Sequence, residues 1–77
     1  YQQALTAYAQ QNYEEAATLI DEVVQNLPHD PNTHLLRGHV YYVLQQYDVA
    51  KAEYQEVLKS TEDPEIIGFA KNGLEHI

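Results

Sequence analysis

Tyr8-Ala-Gln-Gln-Asn-Tyr-Glu-Glu-Ala16 and, 34 residues further on, Tyr42-Val-Leu-Gln-Gln-Tyr-Asp-Val-Ala50 are the stretches on which the fold turns. The second repeats the first at Tyr8/Tyr42, Gln11/Gln45, Tyr13/Tyr47 and Ala16/Ala50, and the echo continues at Glu22/Glu56 and Val23/Val57. Similar residues fill the gaps: Glu14 with Asp48, Ile20 with Tyr54, Val24 with Leu58. A fixed period of this size marks a solenoid, in which each unit is one supersecondary element that needs a neighbour to cover its apolar face.

Within a period the texture is helical. Tyr13, Ala16, Ala17, Ile20, Val23, Val24 and Leu27 recur at steps of three and four, and Tyr47, Ala50, Tyr54, Val57 and Leu58 restore the same stripe. Asn12 is expected to cap the first stripe, with Glu15 completing a capping-box-like pair. Between the copies, Leu27-Pro-His-Asp-Pro-Asn32 stops one helix and starts another, with Asp30 as N-cap and Pro31 in the first helical position. Asp63-Pro64-Glu65 repeats that start. The pattern predicts helices near residues 1–11, 13–26, 31–45, 47–60 and 64–76, joined by short turns, with no strand. Gly68 and Gly73 each weaken the last helix by about 1 kcal/mol relative to Ala.

Two helices per 34 residues, with Gly38-x2-Tyr41 and then Tyr47-x2-Ala50-x3-Tyr54-x2-Val57, resemble the tetratricopeptide repeat. The resemblance implies an all-α fold, an α-solenoid of antiparallel helix hairpins wound as a right-handed superhelix. It comprises two repeats plus a C-terminal capping helix in a single domain over residues 1–77. The first repeat covers 1–30, truncated at its start, the second covers 31–63, and the terminal helix covers 64–77. Small residues at Ala4, Gly38, Ala16 and Ala50 let paired helices approach, Tyr13 and Tyr47 plug the turns, and Pro28 matches the closing proline. The chain departs from the pattern at four places. His34 and Arg37 stand where the family usually carries Trp and Leu, Gln11 and Gln45 replace the turn glycine, and Glu62 replaces the second closing proline. The last helix, Ile66-x2-Phe69-Ala70-x2-Gly73, imitates a third repeat two residues early. The wording from Leu35-Leu36-Arg37-Gly38-His39 to Asn72-Gly73-Leu74-Glu75 is also similar to repeat segments attached to bacterial chemotaxis or phototaxis receptors.

Seventy-seven residues make one small domain. Four Lys and Arg against twelve Asp and Glu leave a net charge of −8, which gives counterion-release binding to nucleic acid, or attraction to an anionic membrane, almost nothing to act through. With no cysteine there is no disulfide framework or thiolate site, so packing alone holds the fold. No apolar run reaches the length of a membrane span and no leader pattern opens the chain, so the expected location is the cytoplasm. Without an initiator Met, and with Tyr1 already inside a helical pattern, the chain reads as a domain excised from a longer protein.

Catalysis and metal or cofactor binding are not expected. His34 and His39, five apart, fall on different helix faces, no His-Glu-x2-His spacing exists, and the histidines read as exposed or rim residues. Glu14, Glu15, Asp21 and Glu22 read as a solvated face. There is no Asp-rich calcium loop, and Ser60, the only serine, sits in no triad motif.

Binding is the expected activity. Members of the family line a concave surface with the first helix of each pair, and the resemblance places Leu5 and Tyr8 there from the first repeat and Asn32, Leu35, His39 and Tyr42 from the second. Part of this set, Leu35 above all, has packing against neighbouring helices as its alternative role. The carboxylate clamp of some members, built of Lys, Asn and Arg, has no counterpart, because Leu35 and His39 occupy its places. The implied function is a protein-interaction module that holds a peptide or helix of a partner, apolar or basic in character, with self-association as another way to cover the face. The alternatives are a regulatory segment of a signalling receptor and a structural or capping part of a longer array. Glu22, Gln25, Glu53 and Glu56 are assigned to the outer, convex face, and Glu53→Ala is expected to change little.

Overall fold

A computed structural model describes residues 1–77. They form five helices and no strand: α1 Gln2–Ala9, α2 Tyr13–Asn26, α3 Pro31–Val43, α4 Tyr47–Ser60 and α5 Pro64–Glu75. Both Asp-Pro starts act as the sequence implies. Asp30 accepts from the Thr33 amide at 3.0 Å and the Thr33 hydroxyl at 2.6 Å, and Asp63 accepts from the Glu65 amide at 2.9 Å.

The starts of α2 and α4 differ from expectation. Neither Asn12 nor Gln46 makes a side-chain cap, so the Asn12–Glu15 capping box does not form. The backbone explains this. Gln11 and Gln45 adopt left-handed φ values of 65° and 64°, and the amides that follow turn back onto the preceding helix. Asn12 N donates to Ala7 O at 2.8 Å and Gln11 N to Tyr8 O at 3.0 Å, with Gln46 N to Tyr41 O and Gln45 N to Tyr42 O as their repeat. This is the Schellman closure of a helix C-terminus, and it ends α1 and α3 two residues before 11 and 45. Asn12 and Gln46 are left at ψ 71° and 75°, away from the extended backbone, ψ 117° and 115°, that aims Asp30 and Asp63 at their amides.

The helices pack in two layers. α3 lies beside α5 and meets α1 through side chains of the first core cluster, and α2 and α4 form the other layer: α2 touches α1 and α3, while α4 touches α3 and α5. Ala4, Ala7, Ala16, Ala17, Ile20, Leu36 and Val40 form one core cluster, and Ala50, Tyr54, Val57 and Ala70 form another. Tyr41 of α3 leans on both. The close approaches expected at Ala16, Ala50 and Gly38 are present, all three residues being buried. A Cβ on Gly38 would lie 2.7 Å from the Tyr54 ring, and one on Gly73 would lie 2.5 Å from it. The buried Tyr54 ring is therefore sandwiched between the backbones of α3 and α5, so Gly73 is a seat for an aromatic ring as well as a weak helix former.

Three polar residues stand elsewhere than the sequence suggests. His34 is buried, not on a rim, and Glu53, assigned to the outer face, is also buried. His34 places Nδ1 2.5 Å from Glu53 Oε2 and Nε2 2.6 Å from Pro28 O. A carbonyl and a carboxylate both accept, so the ring satisfies the two only as the imidazolium. Desolvation works against that charge, but the hydrogen bonds to Glu53 and Pro28 and the charges of Glu53 and Glu56 outweigh it and raise the His34 pKa. Arg37 donates through Nε to Asp21 at 2.7 Å and through Nη1 to Glu53, and lies 4.9 Å over the Tyr41 ring. Tyr41 OH also donates to Asp21, at 2.8 Å. Asp21 is thus tied into the fold and is not part of a free acidic face. The positions where the family carries Trp and Leu hold an ionic layer instead, and no buried side-chain nitrogen or oxygen lacks a partner.

Candidate partner-binding face

α1 and α3 contain no acidic residue, and the cations of α3, Arg37 and the His34 imidazolium, are both turned into the ionic layer. The carboxylates sit on α2, α4, the turns and the two ends of α5. Two of the three helices of the layer formed by α1, α3 and α5, namely α1 and α3, are therefore free of carboxylates and rich in Tyr and His, against a strongly acidic remainder.

Of the six residues expected to line a groove, the structure brings three into one strip. Tyr8 of α1 stacks on His39 of α3 with ring centroids 6.5 Å apart. Tyr42, one turn further along α3, lines an open depression with His39. Tyr8 and Tyr42 are each propped edge-on by the tyrosine of the following turn, Tyr13 at 5.6 Å and Tyr47 at 5.4 Å. Leu5 is half-buried against the first core cluster and Leu35 against the second, so each divides its surface between core and solvent. Asn32 is exposed in the first turn of α3.

The depression, about 280 Å³, also draws on residues the sequence reading leaves out: Tyr54 from α4 and Asn72, Gly73 and His76 at the end of α5. Tyr42 OH donates to His76 O at 3.3 Å, which ties α3 to α5. His76 Nδ1 donates to Asn72 O at 2.7 Å. At the floor, the Tyr54 hydroxyl meets His39 Nδ1 at 2.7 Å. Burial, and then the neighbouring Tyr8 and Tyr42, push the Tyr54 hydroxyl up to about 12, and burial lowers the His39 pKa. The only trace of this site in the sequence is Tyr54 itself, a hydroxyl-bearing ring where the first copy of the stripe has the aliphatic Ile20. Phe69, three and four residues before Asn72 and Gly73, and Val43 beside Tyr42 add exposed apolar surface nearby.

No helix is long and apolar enough to cross a membrane. Compared with known protein families, the chain matches the one described as tetratricopeptide repeat over residues 7–69. No curated protein and no solved structure matches it. Proteins of the matched family use these repeats for protein–protein interaction. The likeness to receptor-attached segments gains no support from the match, which describes the repeat alone.

Proposed function

Because the chain belongs to the tetratricopeptide repeat family, we propose that it is a non-catalytic interaction module that holds a peptide or helix of a partner protein against the layer formed by α1, α3 and α5. The observation that carries this reading is the separation of charge: the aromatic strip Tyr8, His39 and Tyr42 lies on helices without one carboxylate, in a chain of net charge −8. Tyrosines offer large, stiff, amphipathic contact area at low entropic cost. The acidic remainder steers a basic partner during approach, while the face itself receives uncharged groups.

Selection of binders from a random peptide library, followed by chemical-shift mapping of the best of them, tests it. Shifts are expected at Leu5, Tyr8, Asn32, Leu35, His39 and Tyr42, with loss of binding in Tyr8→Ala and Tyr42→Ala. Shifts gathered on Glu22, Gln25 and Glu56 with Tyr42 silent would place the binding face on the opposite layer and defeat the proposal.

A further inference from the structure

Tyr54 is 1% exposed, and His39 Nδ1 is the only hydrogen-bond partner of its hydroxyl. If His39 Nδ1 carried the proton, the hydroxyl hydrogen would be buried with nothing to receive it, at a cost of about 1–3 kcal/mol. The hydroxyl therefore donates to Nδ1, and His39 is the neutral tautomer with its proton on Nε2. That nitrogen has no partner within the chain, and since no buried side-chain nitrogen is left unpaired, Nε2 reaches solvent. His39 is thus a fixed, outward-facing N–H donor on the wall of the depression between α3 and α5. Near it stand the side-chain amide of Asn72 and the imidazole of His76. His76 donates through Nδ1 to a carbonyl, so in its neutral form it turns a lone pair outward at Nε2.

We propose that this depression is a specificity subsite for a side-chain carboxamide, a Gln or Asn of the partner segment, whose carbonyl oxygen accepts from His39 Nε2 and whose amide hydrogens face His76 and Asn72. This rests on the reading of the inner layer as the binding face. The lining decides the class of side chain. None of the six lining residues is a carboxylate, Lys or Arg, so an inserted cation or anion gives up hydration with no counter-charge to receive it, and an anion also enters against the net field. An aliphatic side chain expels water from the His39 donor and leaves it unpaired. A carboxamide is uncharged and supplies both an acceptor and donors, and the volume accommodates it. Tyr54 is a positioning residue here: it acts by choosing which His39 nitrogen carries the proton.

Two measurements on the intact chain test this. Ring ¹⁵N shifts of His39 should show Nε2 protonated in the wild type and a tautomer mixture in Tyr54→Phe, a variant that keeps the ring between Gly38 and Gly73. A protonated Nδ1 in the wild type overturns the proposal. Peptides selected from a random library should carry Gln or Asn at one shared position, and replacing it by Glu, Lys or Leu should weaken binding on the order of tenfold. That discrimination should vanish in Tyr54→Phe and in His39→Phe, while Tyr8→Ala weakens every peptide alike. Peptides that need Tyr8 and Tyr42 but prefer a charged or aliphatic residue, or that discriminate equally well against Tyr54→Phe, overturn the subsite and leave the binding face standing. Selection of no peptide, or only of peptides that map to α2 and α4, overturns both.

Discussion

Gly73 and Gly68 sit on the same helix, yet alanine at the two positions should act in opposite directions. At Gly68 nothing lies within 4 Å of an added Cβ, so Gly68→Ala should gain about 0.5–1 kcal/mol of helix propensity. At Gly73 the added carbon meets the Tyr54 ring at 2.5 Å, and Gly73→Ala should cost about 1–3 kcal/mol by overpacking. Thermal unfolding of the two variants reads the difference, and shifts of the same sign would show that α5 does not seat Tyr54. The histidines of α3 likewise oppose each other. The folded pKa of His34 is raised, so its contribution is complete below the unfolded value of about 6.5 and is lost as pH climbs through the folded value. The folded pKa of His39 is lowered, so its contribution is complete above about 6.5 and is lost as pH falls through the folded value. Stability should therefore peak near pH 6.5, with His34→Gln flattening the alkaline slope and His39→Gln the acid one. Melting temperatures that leave either slope unchanged in its variant contradict these protonation states. Glu53→Ala, which takes the carboxylate from His34 and leaves Arg37 only Asp21, should cost roughly 3 kcal/mol, the low end for breaking a buried ion pair. None of this ionic layer was legible from charge patterning, which treats an isolated acid on a polar-looking helix as solvated. The repeat itself held a clue, since 34 residues before Glu53 stands Leu19, a partly buried apolar residue.

At the scale of the element the sequence was far more readable, because helix starts and stops are local chemistry. The bounds of α2 and α4 coincide with the predicted ones, and Asp30 and Asp63 cap as their Asp-Pro context implies. The ends of α1 and α3 were overextended because glutamine does not advertise a left-handed residue as glycine does. Gln11 and Gln45 occupy the turn where the repeat pattern has glycine, and both pay a left-handed penalty of about 1 kcal/mol. Gln11→Gly and Gln45→Gly should each stabilise the protein by up to that amount, less the entropy glycine adds to the unfolded chain. Asp30→Ala should cost about 1 kcal/mol through loss of its cap, whereas Asn12→Ala should change little, since Asn12 caps nothing. Denaturant titrations compare all four. A loss at Asn12 as large as at Asp30, or destabilisation by both glycine variants, would mean that the turns are not closed by the backbone in the way described.

For the molecule as a whole, the 34-residue period sufficed to reach the two-layer helical fold, because repetition constrains long-range packing that no single helix can. Tyr8, His39 and Tyr42, each half-buried in the structure, were legible as groove candidates only through the family resemblance. The depression beside them was not, since it depends on where α5 lands, and the pattern of that helix is out of step with the repeat. The packing makes one further demand. α3 contributes Leu36 and Val40 to the first core cluster, and its Leu35 and Tyr42 lean on the second, with Tyr41 touching both. Its His34 and Arg37 join Glu53 of α4 and Asp21 of α2. α1 and α5, by contrast, each lean on one cluster from an end of the layer. Local opening follows the number of buried contacts that must break together, so unfolding of α3 should require unfolding of the whole domain while α1 and α5 open alone. Native-state hydrogen exchange should therefore find the slowest amides in α3 around Val40 and Tyr41, exchanging at the global limit, and faster exchange in α1 and in the last turn of α5. Val40→Ala and Val57→Ala, placed in different clusters, should still melt in one transition, each about 1–3 kcal/mol less stable. Two resolved transitions, or protection in α1 equal to that in α3, would mean that the clusters fold independently and that α3 does not couple them.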